Sequence, residues 1–109
     1  MEPTVTVLPD YDGLRVVQCS GEFDADTEGV LDAACDEAIA AAGVERLALD
    51  VRGVTFADSS FLNLLLRVHG VCDLLLLGPL PPQLARLLEM TGANLLFAID
   101  DGPPERATG

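Results

Sequence analysis

Apolar and polar positions change period several times along this chain, and each change marks an element. Thr4 to Leu8 alternates, the period of a half-buried strand. Pro9-Asp10-Tyr11-Asp12-Gly13 has turn composition, and Leu14 to Ser20 reads as a second strand, close enough to the first for an antiparallel hairpin. From about Ala25 to Ala42 the period lengthens. Val30, Leu31, Ala34, Cys35, Ala38, Ile39 and Ala42 recur at three and four, which is one face of a helix. Asp24 or Asp26 suits its N-cap and Gly43 its end. Glu28, Asp32 and Asp36 follow each other at four-residue spacing on its other side, either as a solvated face or as an acidic strip for a basic partner.

The central stretch runs from Leu47 to Leu66. Leu47, Leu49 and Val51 alternate with Ala48 and Asp50, Gly53 punctuates the run, and Val54 and Phe56 continue it. A helix is then predicted from Ser59 to His69, opened by Asp58-Ser59-Ser60, three residues whose side-chain oxygens suit the free N–H groups of a first turn. Its apolar residues Phe61, Leu62, Leu64, Leu65, Leu66 and Val68 cover an arc of about 200° at ~100° per residue, wider than one buried face needs. Either two elements cover this helix or part of it stays open, and Phe61 is the expected open part. Val71 to Leu77 reads as a fourth strand covered on both faces. A Pro-rich turn leads to a helix from Pro82 whose buried face is Leu84, Leu87, Leu88 and Thr91, ended by Gly92. Leu95 to Ile99 reads as a last strand. The order β-β-α-β-α-β-α-β predicts an α/β fold. It is a small single domain, residues 1–101, with a mixed, largely parallel five-stranded sheet, an antiparallel N-terminal hairpin and three main helices. Residues 102–109 are expected to be a disordered tail.

Composition narrows the function classes. The net charge is −12, with six arginines and no lysine, so a nucleic-acid surface or direct membrane binding is not expected. No apolar run approaches the ~20 residues of a membrane span, and the acidic N-terminus lacks a signal pattern, so a cytoplasmic protein is expected. Cys19, Cys35 and Cys72 are scattered and there is one histidine, so no metal site, cofactor or disulfide framework is expected, and each thiol is read as a small core residue. Phosphate-binding loops and a nucleophile elbow are missing from the sequence, and His69 sits in an apolar helix, so no enzyme is expected.

Three segments carry a resemblance. Gly21-Glu22-Phe23-Asp24 resembles a Gly-Glu-Leu-Asp motif placed after a second strand. Residues 49–60, ending in Asp58-Ser59-Ser60, resemble a central strand that runs into Asp-Ser-Ser. Leu88-Glu89-Met90-Thr91-Gly92 resembles the end of a last long helix. In this order and spacing they resemble the anti-sigma factor antagonists of the STAS domain superfamily. The resemblance implies that the unphosphorylated protein binds an anti-sigma factor, a serine kinase of the histidine-kinase-like ATPase class, and so frees a sigma factor for transcription. It implies phosphorylation of Ser59 as the inactivating event, reversal by a phosphatase, and no cofactor. Asp24, Asp58, Ser60 and Phe61 are the residues expected beside the phosphosite and at the partner surface. The chain departs from the pattern after the serines, where Phe61-Leu62-Asn63 replaces the usual Gly-Leu-Gly. There Phe61 is expected to obstruct a partner's backbone or to serve as an apolar anchor for a different partner. The alternative is a STAS accessory subunit of a membrane transport complex, such as a lipid-trafficking ABC system, or a signalling scaffold, with no phosphorylated serine.

Overall fold

The computed structural model describes residues 2–8, 13–40 and 45–100. Its elements are β1 (Thr4–Val7), β2 (Leu14–Phe23), α1 (Glu28–Ala40), β3 (Arg46–Ala57), α2 (Ser59–Val71), β4 (Asp73–Leu77), α3 (Pro82–Thr91), a 3-10 turn (Ala93–Leu95) and β5 (Ala98–Asp100). The strands form one sheet in the order β1-β2-β3-β4-β5, with β1 antiparallel to β2 and all other pairs parallel. The expected α/β architecture is therefore present. The turn at 9–12, the end of α1 at Gly43 and the tail lie outside the described residues.

Each parallel crossover carries one helix, and all three step the same way across the sheet. Right-handed crossovers in one direction put their helices on one face. The burial pattern agrees. Val17, Cys19, Phe23, Leu47, Leu49, Val51, Leu74 and Leu76 join Leu31, Cys35, Phe61, Leu65, Leu84 and Leu88 in one apolar cluster. The alternate residues of the strands point to the opposite face. Gln18 and Arg52 are exposed there, and Leu75 and Leu77 are half-buried. Hence β4 is covered on one face only, and its unbroken leucine run does not signal a two-sided core.

Several boundaries differ from expectation. α2 continues to Val71, so β4 starts at Asp73; the helix keeps its bonds until the N–H of Cys72 reaches the carbonyl of Val68. Leu95 ends a 3-10 turn and is exposed, and the last strand is only Ala98–Asp100. Gly21-Glu22-Phe23 does not follow β2 but forms its last three residues, across two register shifts against β3. Gly21 has φ +96°, and a Cβ there would lie 2.3 Å from the carbonyl oxygen of Glu2, so only glycine lets residues 2 and 3 cross the strand at this point. Gly92 has φ 77° and ends α3 as expected.

Candidate functional site

The site lies where β2 and β3 end side by side. Phe23 pairs with Ala57, and the N–H of Asp58 donates to the carbonyl of Phe23 at 3.3 Å, so the turns that begin at Asp24 and Asp58 are neighbours. Strands in one sheet run about 4.8 Å apart, which fixes the spacing of the two turns at this end.

Asp58 is extended (φ −118°, ψ −166°), and its Oδ1 accepts from the N–H of Ser60 at 2.9 Å. Its carbonyl accepts from the N–H of Leu62 at 3.2 Å, the first bond of the helix. Asp58 is thus the N-cap, as the sequence predicts. Ser59 is the first helical residue and is exposed, whereas Ser60 is half-buried. Asp24 shapes the neighbouring turn. Its Oδ1 accepts from the N–H groups of Asp26 (2.9 Å) and Thr27 (3.1 Å) and lies 3.0 Å from the Thr27 hydroxyl. In return the Thr27 hydroxyl accepts from the N–H of Asp24 at 3.0 Å. The Thr27 hydroxyl first, then the N–H of Asp26, hold the Asp24 carboxyl below the usual carboxylate range. Asp24 therefore stays ionised at neutral pH, and its Oδ2 takes part in none of these bonds.

Phe61 departs from expectation. It is fully buried, not exposed, and its ring packs on Phe23 with centroids 5.6 Å apart and planes inclined at 43°. A first-turn residue on the sheet side of α2 points down into the core, so the aromatic ring lies beneath the serines rather than between them and an incoming partner. The open apolar positions of α2 are Leu66, 38% exposed, and Val71 at its end, 61% exposed. Phe61 therefore neither obstructs the surface nor offers an anchor on it.

The polar stripe of α2 also has an unexpected role. Arg67 bonds Asp36 of α1 at 3.0 Å and also pairs with Asp32. One positive charge is thereby shared between two carboxylates of the acidic row, and Glu28, the third, lies nearest the site. Glu28, Asp32, Ser60, Asn63, Leu64 and Arg67 line a hollow of about 250 Å³ between α1 and α2. His69 is two to three turns along α2 from Ser59, about 15 Å at 1.5 Å per residue, and its ring meets Phe97 edge-on at 5.5 Å. It cannot serve Ser59 as a base.

Two other arrangements had no reading in the sequence. Gln83, in the first turn of α3, bonds the backbone of Ala57 twice: its Oε1 accepts from the N–H at 2.8 Å and its Nε2 donates to the carbonyl at 2.7 Å. Only the helical pattern around it was legible, since Leu84, Leu87 and Leu88 leave Gln83 beside the buried face. On the open face of the sheet, Asp50 is 7% exposed and takes a two-pronged bond from Arg52, Nε to Oδ1 at 2.9 Å and Nη2 to Oδ2 at 2.8 Å. The i, i+2 spacing on one strand face was the available signal. Among the described residues no group of three or more histidine, cysteine or carboxylate side chains is placed to hold a metal, and no helix is long and apolar enough to cross a membrane.

The α/β sheet, covered by helices on one face, presents an exposed serine in the first turn of a helix capped by Asp58, beside the turn that begins at Asp24. Comparison with known proteins makes the class specific. A family model described as "Mlab, STAS domain" matches residues 12–97. An anti-sigma F factor antagonist of Paenibacillus polymyxa is 30% identical over 104 residues, covering 86% of this chain and 84% of the relative. The crystal structure of an anti-sigma factor antagonist from Mycobacterium paratuberculosis superposes with a TM-score of 0.83 at 25% identity, covering 98% of this chain and 92% of that one. The anti-sigma factor antagonist SpoIIAA in its unphosphorylated form shares the fold, with a TM-score of 0.77 at 20% identity over 96% of this chain and 93% of that one. The chain belongs to the STAS-domain family of anti-sigma factor antagonists.

Proposed function

We propose that this protein is an anti-sigma factor antagonist switched at Ser59. Unmodified, it binds an anti-sigma factor that is also a serine kinase of the histidine-kinase-like ATPase class. Phosphorylated on Ser59 by that kinase, it lets go, and a phosphatase restores it. The observation that carries this reading is the placement of Ser59: exposed, first in α2, with the cap beside it already made by Asp58.

The geometry gives the switch a physical basis. A phosphate on the first residue of a helix meets the positive end of the helix dipole and the first-turn N–H groups that Asp58 does not use, so the domain tolerates it. It adds roughly −1.5 to −2 charges. Those charges join Asp58 and an Asp24 already held ionised. A like charge on the partner about 6 Å away then costs on the order of 1–3 kcal/mol, for effective dielectrics from that of water down to about 20. At about 1.4 kcal/mol per factor of ten, one such repulsion weakens binding by roughly fivefold to a hundredfold. Because Phe61 lies in the core, the departure from the family's Gly-Leu-Gly leaves the surface around Ser59 open.

The test is incubation of the protein with its cognate kinase and ATP. The expected result is a mass gain of one phosphate group, mapped to Ser59 and abolished in Ser59→Ala, with loss of binding to the kinase as the modification proceeds. Equal binding of the phosphorylated and unmodified forms would overturn the reading, as would stable co-purification with a transport ATPase while Ser59 stays unmodified.

A further inference from the structure

We propose that Gln83 is a positioning residue for Ser59, acting through the peptide unit between Ala57 and Asp58. The proposal rests on the reading of Ser59 as the phosphorylated hydroxyl.

The need for such a residue follows from unequal strands. β4 pairs with β3 only as far as Asp50, opposite Leu77, while β3 runs on to Ala57. At Ala57 the β2 side is occupied in the ladder by Phe23, whose carbonyl takes the N–H of Asp58. In a parallel pair the N–H and C=O of alternate residues point to opposite neighbours, so those of Ala57 point away from β2, to the side that β4 does not reach. A buried backbone pair left there without partners is strongly disfavoured. The Gln83 amide supplies both partners at once, an acceptor at 2.8 Å and a donor at 2.7 Å, and so takes the place of the missing strand.

The consequence falls on the next residue. In the 57–58 peptide unit, the C=O is held by Gln83 at 2.7 Å and the N–H by Phe23 at 3.3 Å. A plane pinned at both ends fixes the direction in which the chain leaves the sheet, and Asp58 and Ser59 follow it directly. Gln83 comes from α3, well away in sequence, so the orientation of the Ser59 turn depends on where α3 docks. Phosphoryl transfer demands alignment of the hydroxyl, and small misplacements of a reacting group are costly in rate. Docking spreads over a wider surface and depends on it less.

The experiment compares wild type, Gln83→Met and Gln83→Glu. Methionine keeps the length and helix preference without either hydrogen bond; glutamate keeps the oxygen that accepts from Ala57. Amide hydrogen exchange of Ala57 is expected to quicken on the order of tenfold in Gln83→Met and by less in Gln83→Glu, which keeps the acceptor for the Ala57 N–H but sets its second oxygen against the Ala57 carbonyl. The amide resonances of Ser59 and Ser60 are expected to shift in Gln83→Met. With the kinase, kcat for phosphorylation of Gln83→Met is expected to fall on the order of tenfold while KM stays within about twofold, a split that general loosening of the fold would not produce. Unchanged Ala57 exchange, or wild-type kcat in Gln83→Met, overturns the proposal. If the wild-type protein takes no phosphate on Ser59, the functional reading fails by itself. The positioning role then stands on shifted Ser59 and Ser60 resonances and falls on unshifted ones.

Discussion

At Phe61 the side chain that a sequence comparison would place on the binding surface is part of the foundation beneath it. Its ring is fully buried against Phe23, and the two residues belong to the two segments that flank the site. Phe61→Ala removes a packed ring and leaves a void, which is expected to cost about 3–5 kcal/mol in chemical denaturation. That is a large share of the 5–15 kcal/mol by which domains are typically stable. Partner affinity per folded molecule is expected to change little. Asp50 makes a different kind of residue-scale prediction. The Arg52 guanidinium bonded to it holds its carboxyl below the usual range, against the opposing effect of burial. A lowered folded pKa means that its contribution is present above the unfolded value of about 3.9 and is lost as pH falls through the folded value. Wild type is therefore expected to be more stable than Asp50→Asn at neutral pH, and the difference in melting temperature to close as the pH drops below about 4. A gap that widened in acid would contradict the assignment.

At the scale of elements, α1 and α2 are joined by more than their apolar faces. Arg67 reaches across to Asp32 and Asp36, turning a row of like charges on one helix into the acceptor of a cation on the next. All three side chains are substantially exposed, so the gain is modest. Arg67→Ala is expected to lower stability by less than about 1 kcal/mol in urea titrations, and the loss to shrink in high salt, where screening removes most of what the pair supplies. The periods of 2 and 3.6 made most elements legible, α3 with its Pro82 start and Gly92 end among them, because local pattern decides those features; Thr91, expected on the buried face of α3, is exposed at its last turn. Asp58 was legible as a cap for the same reason. What was not legible depends on which elements meet. An arc of apolar residues on α2 cannot say whether Phe61 or Leu66 is the one left open, and an acidic row cannot reveal that an arginine thirty-one residues after Asp36 in sequence lies against it. Leu95 kept a strand-like composition, yet the αL conformation at Gly92 turns the chain into a 3-10 turn before the sheet can take it up. Gln83 was invisible because its partner is a backbone, which carries no sequence signature.

For the molecule as a whole, three crossovers in one direction leave one sheet face covered and the other open, and they gather the acidic turns of Asp24 and Asp58 at one end. Rigid strands deliver those turns, and a phosphate placed on the exposed Ser59 would add to them without displacing any core residue. The phosphorylated protein is accordingly expected to keep its circular dichroism spectrum while losing its partner; a cooperative change in the spectrum on phosphorylation would show that refolding, not surface charge, carries the signal. The contact between Phe23 and Phe61 has a practical consequence for engineering. The two segments that flank the candidate site share one piece of core, so they form a single transplantable unit rather than two. A chimera that borrows the Asp58–Asn63 segment of a relative, with glycine at position 61, will inherit a hole beside the Phe23 ring under the loop it was built to study, and the leucine of the family motif at position 23 is too small to fill it.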